Sequence, residues 1–149
     1  MKTNISIYLW FKLVIGLKHR GQGKRESGGL LLHKDGSNKI CQVVFYDMFD
    51  KTVSENGIIE FKGSALLYEY LAKNNLLIFA DIHTHPTSNT QQSQSDKEHP
   101  IVRIKGHIAI IAPSFAQKRF LMPSDCSMYK YLGEFKWGEL NNTLNLKLI

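Results

Sequence analysis

The sequence has few of the residues that staple or interrupt a fold. It contains two cysteines and four prolines among 149 residues. Two isolated cysteines exclude a disulfide framework and a cysteine-rich zinc knuckle, and Cys41, in an apolar strand-like run, is predicted to be a buried reduced thiol. No apolar run has the length that spans a bilayer. The apolar start of the chain contains Lys12 and no small-residue cleavage pattern, so we expect a cytoplasmic protein without a membrane partner.

Acidic residues are outnumbered by basic ones. The chain has 13 Asp and Glu against 19 Lys and Arg, which gives a formal net charge of +6 and a pI near 9.3. Part of the excess lies in KHRGQGKR, residues 18–25, and such a run can attract nucleic acid or an acidic protein surface. A short basic run without interleaved aromatic residues is more typical of a solvated helix end and loop. Nucleic acid is therefore not an expected partner.

The chain has the length of one domain and shows neither an internal repeat nor a low-complexity linker, so we predict a single domain over residues 1–149. Hydrophobic periodicity predicts a helix at about 10–19 and a second at 64–75, which Ser64 can cap. Strands are predicted at 5–9, 30–33, 39–46, 57–61, 76–85 and 106–116, with a closing strand pair within 127–140. The sum is an α+β fold with a curved, mixed β-sheet flanked by α-helices.

Two histidines lie one residue apart in DIHTHPTSNTQQSQSD, residues 81–96. Side chains at positions i and i+2 of a strand point to the same side, so His83 and His85 project together from the end of the predicted strand. Imidazole nitrogens suit zinc, and a catalytic zinc has three protein ligands and an open position for water. Asp96 is the carboxylate that we expect to complete the ligand set.

Each of these residues also has an ordinary interpretation. A single histidine at a strand end is often a hydrogen-bonded surface group, and Ser93 with Asp96 is also the pattern of a helix N-cap followed by an acidic first turn. The combination of His-x-His, a proline and Ser-x-x-Asp in one short segment favours the metal site. A metallo-β-lactamase would continue with Asp-His directly after the pair, and an amidohydrolase barrel needs about 250 residues. Neither fits.

A zinc-activated water needs a nearby carboxylate that accepts its proton and is not itself a ligand. Glu26, in KRESGGLLL, lies at the start of the second predicted strand, where a glycine pair lets the backbone pass closely. Glu98 is the local competitor, but two residues past the proposed ligand it is expected to point away. Asp81 lies deeper on the histidine strand and is interpreted as a hydrogen-bonded support.

These residues together resemble the signature of the JAMM (JAB/MPN-plus) zinc metalloproteases, a glutamate in an E-[ST]-G-G-x-L setting followed by H-[ST]-H-P-x6-S-x-x-D. The resemblance extends over most of the chain, through ESGGLLLH, the helix before the histidine strand, GHIAIIAP and the Y-x-Y-x-G-x-x-x-W ending. The matching residues are Glu26, His83, Thr84, His85, Pro86, Ser93 and Asp96.

The resemblance implies a JAB/MPN-type fold and one zinc ion per chain, bound by His83, His85, Asp96 and water. It implies that Glu26 is the general base and acid, and that Ser93 hydrogen-bonds the oxyanion or its precursor carbonyl. The implied reaction is hydrolysis of an isopeptide or peptide bond after the C-terminal glycine of a ubiquitin-like protein. The extended tail of that protein could add to a sheet edge at residues 39–46.

Within the family, GHIAIIAPSFA (106–116) and the compact size resemble bacterial members encoded beside E1- and E2-like conjugation enzymes, including those of antiphage defence. Expected partners are then a ubiquitin-like protein or its conjugates, together with such E1- and E2-like enzymes. Two other classes stay open: a metal-free MPN scaffold that only binds partners, and a DNA-repair-associated JAB-like protein. The remaining histidines and aromatic residues considered are expected to be structural or on the surface: His19, His33, His99, His107, Tyr129, Tyr131 and Trp137.

Overall fold

The structure, a computed structural model, describes residues 2–50, 61, 64–141 and 146–149. Its three α-helices are α1 (Ile7–Gly21), α2 (Ala65–Asn74) and α3 (Gln94–Glu98). Its strands are β1 (Thr3–Ile5), β2 (Gly28–Lys34), β3 (Ile40–Phe45), β4 (Leu76–Thr84), β5 (Ile108–Ala112), β6 (Ser127–Gly133), β7 (Lys136–Leu140) and β8 (Leu146–Leu148).

Six strands form a mixed sheet in the order β3-β2-β4-β5-β6-β7. The β4–β5 pair is parallel, and the other four pairs are antiparallel. A parallel pair of β1 with β8 forms a second, two-stranded sheet. The α+β prediction, with a mixed sheet flanked by helices, is confirmed. None of the described helices is long and apolar enough to cross a membrane.

Helix α1 covers one face of the sheet through an apolar stripe. Leu13 and Leu17 are fully buried, and the indole Nε1 of Trp10 donates to the carbonyl of Leu121 at 2.8 Å. The strand predicted at 5–9 was wrong for most of its length, because the Ser6 hydroxyl accepts from the amide of Leu9 and begins the helix there. The apolar residues after Ser6 therefore follow a helical period.

Helix α2 lies with a second, smaller core cluster. Ser64 caps the helix as predicted, since its hydroxyl accepts from the amide of Leu67. Leu67 and Leu71 pack in the same cluster as Leu30 and Tyr46. The strand predicted at 57–61 lies outside the described residues except for Phe61, whose ring stacks on Tyr46 with centroids 4.3 Å apart.

Cys41 is exposed, so the prediction of a buried thiol at this position was wrong. It lies on β3, which is an edge strand of the six-stranded sheet. Successive side chains of a strand point to opposite faces, and Ile40 is the buried neighbour. An apolar run on an edge strand therefore leaves some of its members facing solvent.

Strand β2 passes close to β3 at Gly29. A Cβ atom at Gly29 would lie 2.5 Å from the carbonyl oxygen of Val44, which is backbone and cannot rotate away. Gly29 pairs with Phe45 on one side and with Ile82 on the other. Because it has no side chain, Gly29 lets β2 pack closely against β3 while it pairs with β4, the strand that carries His83.

We predict that Gly29→Ala lowers the free energy of unfolding by about 1–3 kcal/mol, because the added methyl group overpacks the β2–β3 contact. Gly138→Ala in β7 is the matched control, since its Cβ would meet only the Leu132 side chain at ordinary distances of 3.6–4.0 Å. Chemical denaturation of the two variants measures the difference. Equal stabilities would contradict the close approach at Gly29.

Candidate metal centre

His83 lies near the end of β4, and His85 follows directly after its last residue, Thr84. Hydrogen bonds to neighbouring segments fix the backbone there. The amide of Thr84 donates to the carbonyl of Ser27 at 2.9 Å, and the amide of Ser27 donates to the Thr84 hydroxyl at 3.0 Å. The amide of His85 donates to the carbonyl of Ala112 on β5 at 2.8 Å. Thr84 points to the opposite face from the two histidines. Hydrogen bonds to Ser27 on one side and to β5 on the other therefore fix the backbone of the His-Thr-His segment.

Asp96 comes from α3, which begins at the capping residue Ser93. The Ser93 hydroxyl accepts from the amide of Asp96 at 3.0 Å, and the Asp96 carboxylate accepts from the amide of Ser93 at 2.8 Å. This reciprocal pair is a capping box. The N-cap interpretation of Ser-x-x-Asp is thus correct as local structure, and the same cap holds Asp96 toward the histidines.

The three predicted ligands meet in space. The Nε2 atoms of His83 and His85 are 3.2 Å apart, and each lies 3.1 Å from an oxygen of the Asp96 carboxylate. Two zinc bonds of about 2.0–2.1 Å at a tetrahedral angle place their ligand atoms about 3.3 Å apart. The donor set and its spacing therefore fit a zinc ion with three protein ligands and an open fourth position.

A second hydrogen bond sets the tautomer of His85. Its Nδ1 lies 3.0 Å from the carbonyl oxygen of Asn89, which can only accept. Nδ1 must therefore carry the proton, which leaves the Nε2 lone pair directed at the cluster. Asn89 belongs to the polar loop between the histidines and α3, so this loop has a role that its sequence did not reveal.

The electrostatics of the cluster favour a cation at its centre. Burial opposes the charged form of His83, but the hydrogen bond and charge of Asp96 outweigh burial and raise the pKa of His83. Burial alone would raise the pKa of Asp96, but its close contacts with the His83 and His85 rings lower it well below its usual range. Asp96 is thus a carboxylate at neutral pH, and a metal ion would take the place of the proton on His83.

Glu26 lies beside the cluster because of the β2–β4 register. Gly28, the first residue of β2, pairs with His83, and Glu26 precedes Gly28 by two residues. Side chains two residues apart on an extended chain point to the same face, which is the face of His83. Glu26 is half-buried, and its charge contributes to the raised pKa of His83.

Glu98, the competing carboxylate, has a different setting. It is exposed near the end of α3, where its Oε1 accepts from the Gln94 side chain at 2.6 Å. Asp81 is hydrogen-bonded, as interpreted from the sequence, and its partner is the buried Nε2 of His107 at 2.6 Å. That partner was not predicted, because His107 and Asp81 come from adjacent strands whose pairing the sequence does not show.

A pocket of about 750 Å³ opens beside the ligands. His83 and Asp96 form part of its wall, together with Ala109 of β5 and Trp137 of β7. The loop after α3 contributes further lining residues, including Arg103. The volume is typical of a ligand site. Trp137 was predicted to pack on the sheet, and its ring does contact Tyr131 at 5.0 Å between centroids, yet it also faces this pocket.

We predict that His85→Ala abolishes tight zinc binding, because it removes one of three ligands. His99→Ala is the matched control, since His99 is exposed on the loop after α3 and lies outside the donor cluster. Metal content after zinc loading and desalting measures both variants, with circular dichroism to check the fold. Full zinc content in His85→Ala would rule out the proposed ligand set.

No family model matches the chain. The structure of protein DSY2949 from Desulfitobacterium hafniense is similar with a TM-score of 0.59 and 15% identity, covering 99% of this chain and 92% of that one. AF2198, a JAB1/MPN domain protein from Archaeoglobus fulgidus, gives a TM-score of 0.50 and 16% identity, with 99% and 98% covered.

A third solved structure is described as JAMM, a metalloprotease-like zinc site in the proteasome and signalosome. It gives a TM-score of 0.52 and 16% identity, and the match covers 100% of this chain and 99% of that one. Identities this low carry information on the fold rather than on the reaction. The chain therefore has the JAB1/MPN fold that its motif predicted, with a His83, His85 and Asp96 cluster that can hold a metal ion.

Proposed function

We propose that the protein is a zinc-dependent isopeptidase or peptidase that cleaves after the C-terminal glycine of a ubiquitin-like protein. The observation that carries the proposal is the convergence of three donor atoms within 3.1–3.2 Å, with Glu26 near enough for its charge to raise the pKa of His83. A metal-free scaffold that only binds partners needs neither a set of three metal ligands nor a carboxylate beside it. This arrangement favours catalysis over the binding-only alternative.

A bound zinc ion supplies Lewis acidity, which lowers the pKa of water toward 7 and polarises a carbonyl group. Glu26 accepts the proton of the attacking water and later delivers it to the amine nitrogen of the leaving group. His83, His85 and Asp96 would hold the dication, with His85 oriented by the Asn89 carbonyl and Asp96 by the capping box. The proton is therefore transferred by Glu26, which is not one of the proposed metal ligands.

Ser93 has a free donor for the carbonyl oxygen of the substrate. Its hydroxyl oxygen accepts from the Asp96 amide, so its hydrogen is not used by that bond. Ser93 is exposed at the start of α3, next to the ligand Asp96. A hydroxyl donor aimed at the developing oxyanion stabilises the transition state more than the ground state.

The substrate assignment is supported by the sheet edge as well as by the motif. Strand β3, Ile40–Phe45, lies at the edge of the sheet and pairs with β2, which precedes the histidine strand in the sheet order. An extended C-terminal tail can add to such an edge by backbone hydrogen bonds.

The wider setting follows from the same proposal. A single domain with one zinc ion acts in the cytoplasm on conjugates or precursors of a ubiquitin-like protein, beside the E1- and E2-like enzymes that form them. A bacterial conjugation or antiphage-defence system is the proposed context.

In the basic run at 18–25, Arg20 forms an ion pair with Asp47 at 2.9 Å and its guanidinium stacks 3.8 Å over the Phe45 ring. These contacts leave less of the positive charge of the run for binding nucleic acid.

We predict that Glu26→Gln keeps the fold and zinc content but lowers kcat by at least about a hundredfold, because the amide cannot accept the proton. Glu98→Gln is the matched control and should retain activity. The measurement is cleavage of a ubiquitin-like protein fused at its C-terminal glycine to a fluorescent reporter, with zinc determined on the same samples. Normal cleavage by Glu26→Gln would show that the base is another residue.

We predict that Ser93→Ala lowers kcat about a hundredfold at saturating zinc, because it removes an oxyanion donor. Ser93→Thr retains both the hydroxyl and the cap and should recover most of the rate. Titrating zinc into each variant separates the two roles of Ser93. If the alanine variant loses only zinc affinity and keeps kcat, Ser93 acts solely as the cap that holds Asp96.

A further inference from the structure

Among the residues that the structure describes, the pocket beside the metal cluster contains one charged group that has no oppositely charged partner. Asp96 and His83 bind each other, and Asp81 pairs with His107 at 2.6 Å, with side chains only 5% and 3% exposed. Arg103, in contrast, forms no ion pair within the part of the chain that the structure describes. The uncompensated charge of the pocket is therefore positive.

Arg103 is held in a defined position although it is exposed. Its guanidinium carbon lies 5.7 Å from the centroid of the Phe135 ring, within the range of a cation–π contact. The planar guanidinium presents paired N–H donors that match the two oxygens of a carboxylate. Aromatic and apolar walls from Trp137 and Ile101 complete the pocket and lower the local dielectric, which strengthens such a contact.

The sheet order indicates which part of a substrate reaches this pocket. The metal cluster lies at the end of β4, with β3 two strands away on one side and β7, which carries Trp137, three strands away on the other. A tail paired with β3 approaches the metal from the β3 side. The part of the substrate beyond the cleaved bond then lies over β5 to β7, where Ala109 and Trp137 line the pocket.

We propose that this pocket is the leaving-group subsite, and that Arg103 selects targets with a carboxylate next to the amine that is released. The inference rests on the proposed function and adds the chemistry of the target to it. The carboxylate can come from an Asp or Glu side chain beside the modified lysine, or from the C-terminus of a short extension. Arg103 is a specificity-determining residue that leaves metal binding and proton transfer to the residues already described.

The test uses zinc-loaded protein and synthetic isopeptides in which an acyl segment ending in glycine is joined to a lysine side chain. Three leaving peptides are compared: amidated Ala-Lys-Ala, amidated Glu-Lys-Glu, and Ala-Lys-Ala with a free carboxyl end. We expect one of the two carboxylate-bearing peptides to have about a tenfold lower KM than the amidated Ala-Lys-Ala peptide, with Arg103→Ala removing that preference. Which peptide is favoured identifies the source of the carboxylate.

Arg119→Ala is the matched control, because Arg119 is also exposed and stacks 5.2 Å from the Phe120 ring but does not line the pocket. Arg119→Ala should keep the substrate preference of the unaltered protein. The zinc content of both variants should equal that of the unaltered protein. Cleavage of all three substrates with equal KM, or a preference that survives in Arg103→Ala, would overturn the subsite while leaving the proposed function standing.

Direct binding separates the two failures. The free leaving peptides are titrated into zinc-loaded Glu26→Gln while tryptophan fluorescence is recorded, since Trp137 lines the pocket and Trp10 is fully buried. Binding that is about tenfold tighter with a carboxylate and is lost in Arg103→Ala supports the subsite. The same result without cleavage of any isopeptide retains the carboxylate site and refutes the proposed hydrolysis. No carboxylate dependence in this titration refutes the subsite.

Discussion

The antiparallel pairing of β2 with β4 is the interaction on which the candidate site depends. Ser27 and Thr84 are separated by 57 residues, and their two hydrogen bonds fix the register at the end of the strand pair. That register sets Gly28 opposite His83 and so brings Glu26, two residues before Gly28, close enough for its charge to raise the pKa of His83. A shift by one residue would turn Glu26 to the other face of the sheet. The close approach at Gly29 and the buried core on both faces oppose such a shift.

Two of the proposed ligands, His85 and Asp96, are oriented by hydrogen bonds within the protein that do not require a metal ion. The cap at Ser93 orients Asp96, and the Asn89 carbonyl sets the proton on His85. Both contacts come from the segment between β4 and α3, whose side chains are almost all polar. The side chains of Thr87 and Asn89 accept from the amides of Asn89 and Gln91, so polar side chains stabilise the loop whose backbone contacts His85. Preorganised ligands reduce the reorganisation that metal binding would otherwise require.

The pocket extends the site from metal chemistry to recognition. Its charges fall into two groups, those already neutralised by a partner and the guanidinium of Arg103. The buried Asp81–His107 pair tolerates its desolvation because the two groups satisfy each other. Only a group whose charge is not balanced in this way can discriminate among substrates. In the proposed subsite, recognition is thus assigned to a residue that is not one of the three metal ligands.

Much of the fold and the ligand candidates followed from the sequence, because they depend on local spacing. His83 and His85 share a strand face, Ser64 is a capping residue, and the α+β class follows from the periodicity. Errors arose where local patterns were ambiguous. The apolar segment after Ser6 is compatible with strand or helix until the cap is seen, and the exposure of Cys41 depends on β3 being an edge strand.

The sequence alone determined which residue types were available for a metal site and their order along the chain. Only the tertiary structure decided that Glu26 lies near His83, that His107 is the partner of Asp81, and that Arg103 and Trp137 line one pocket. These are contacts between distant segments, set by strand order and register. Local propensity does not encode them, because each arises from the packing of the whole sheet.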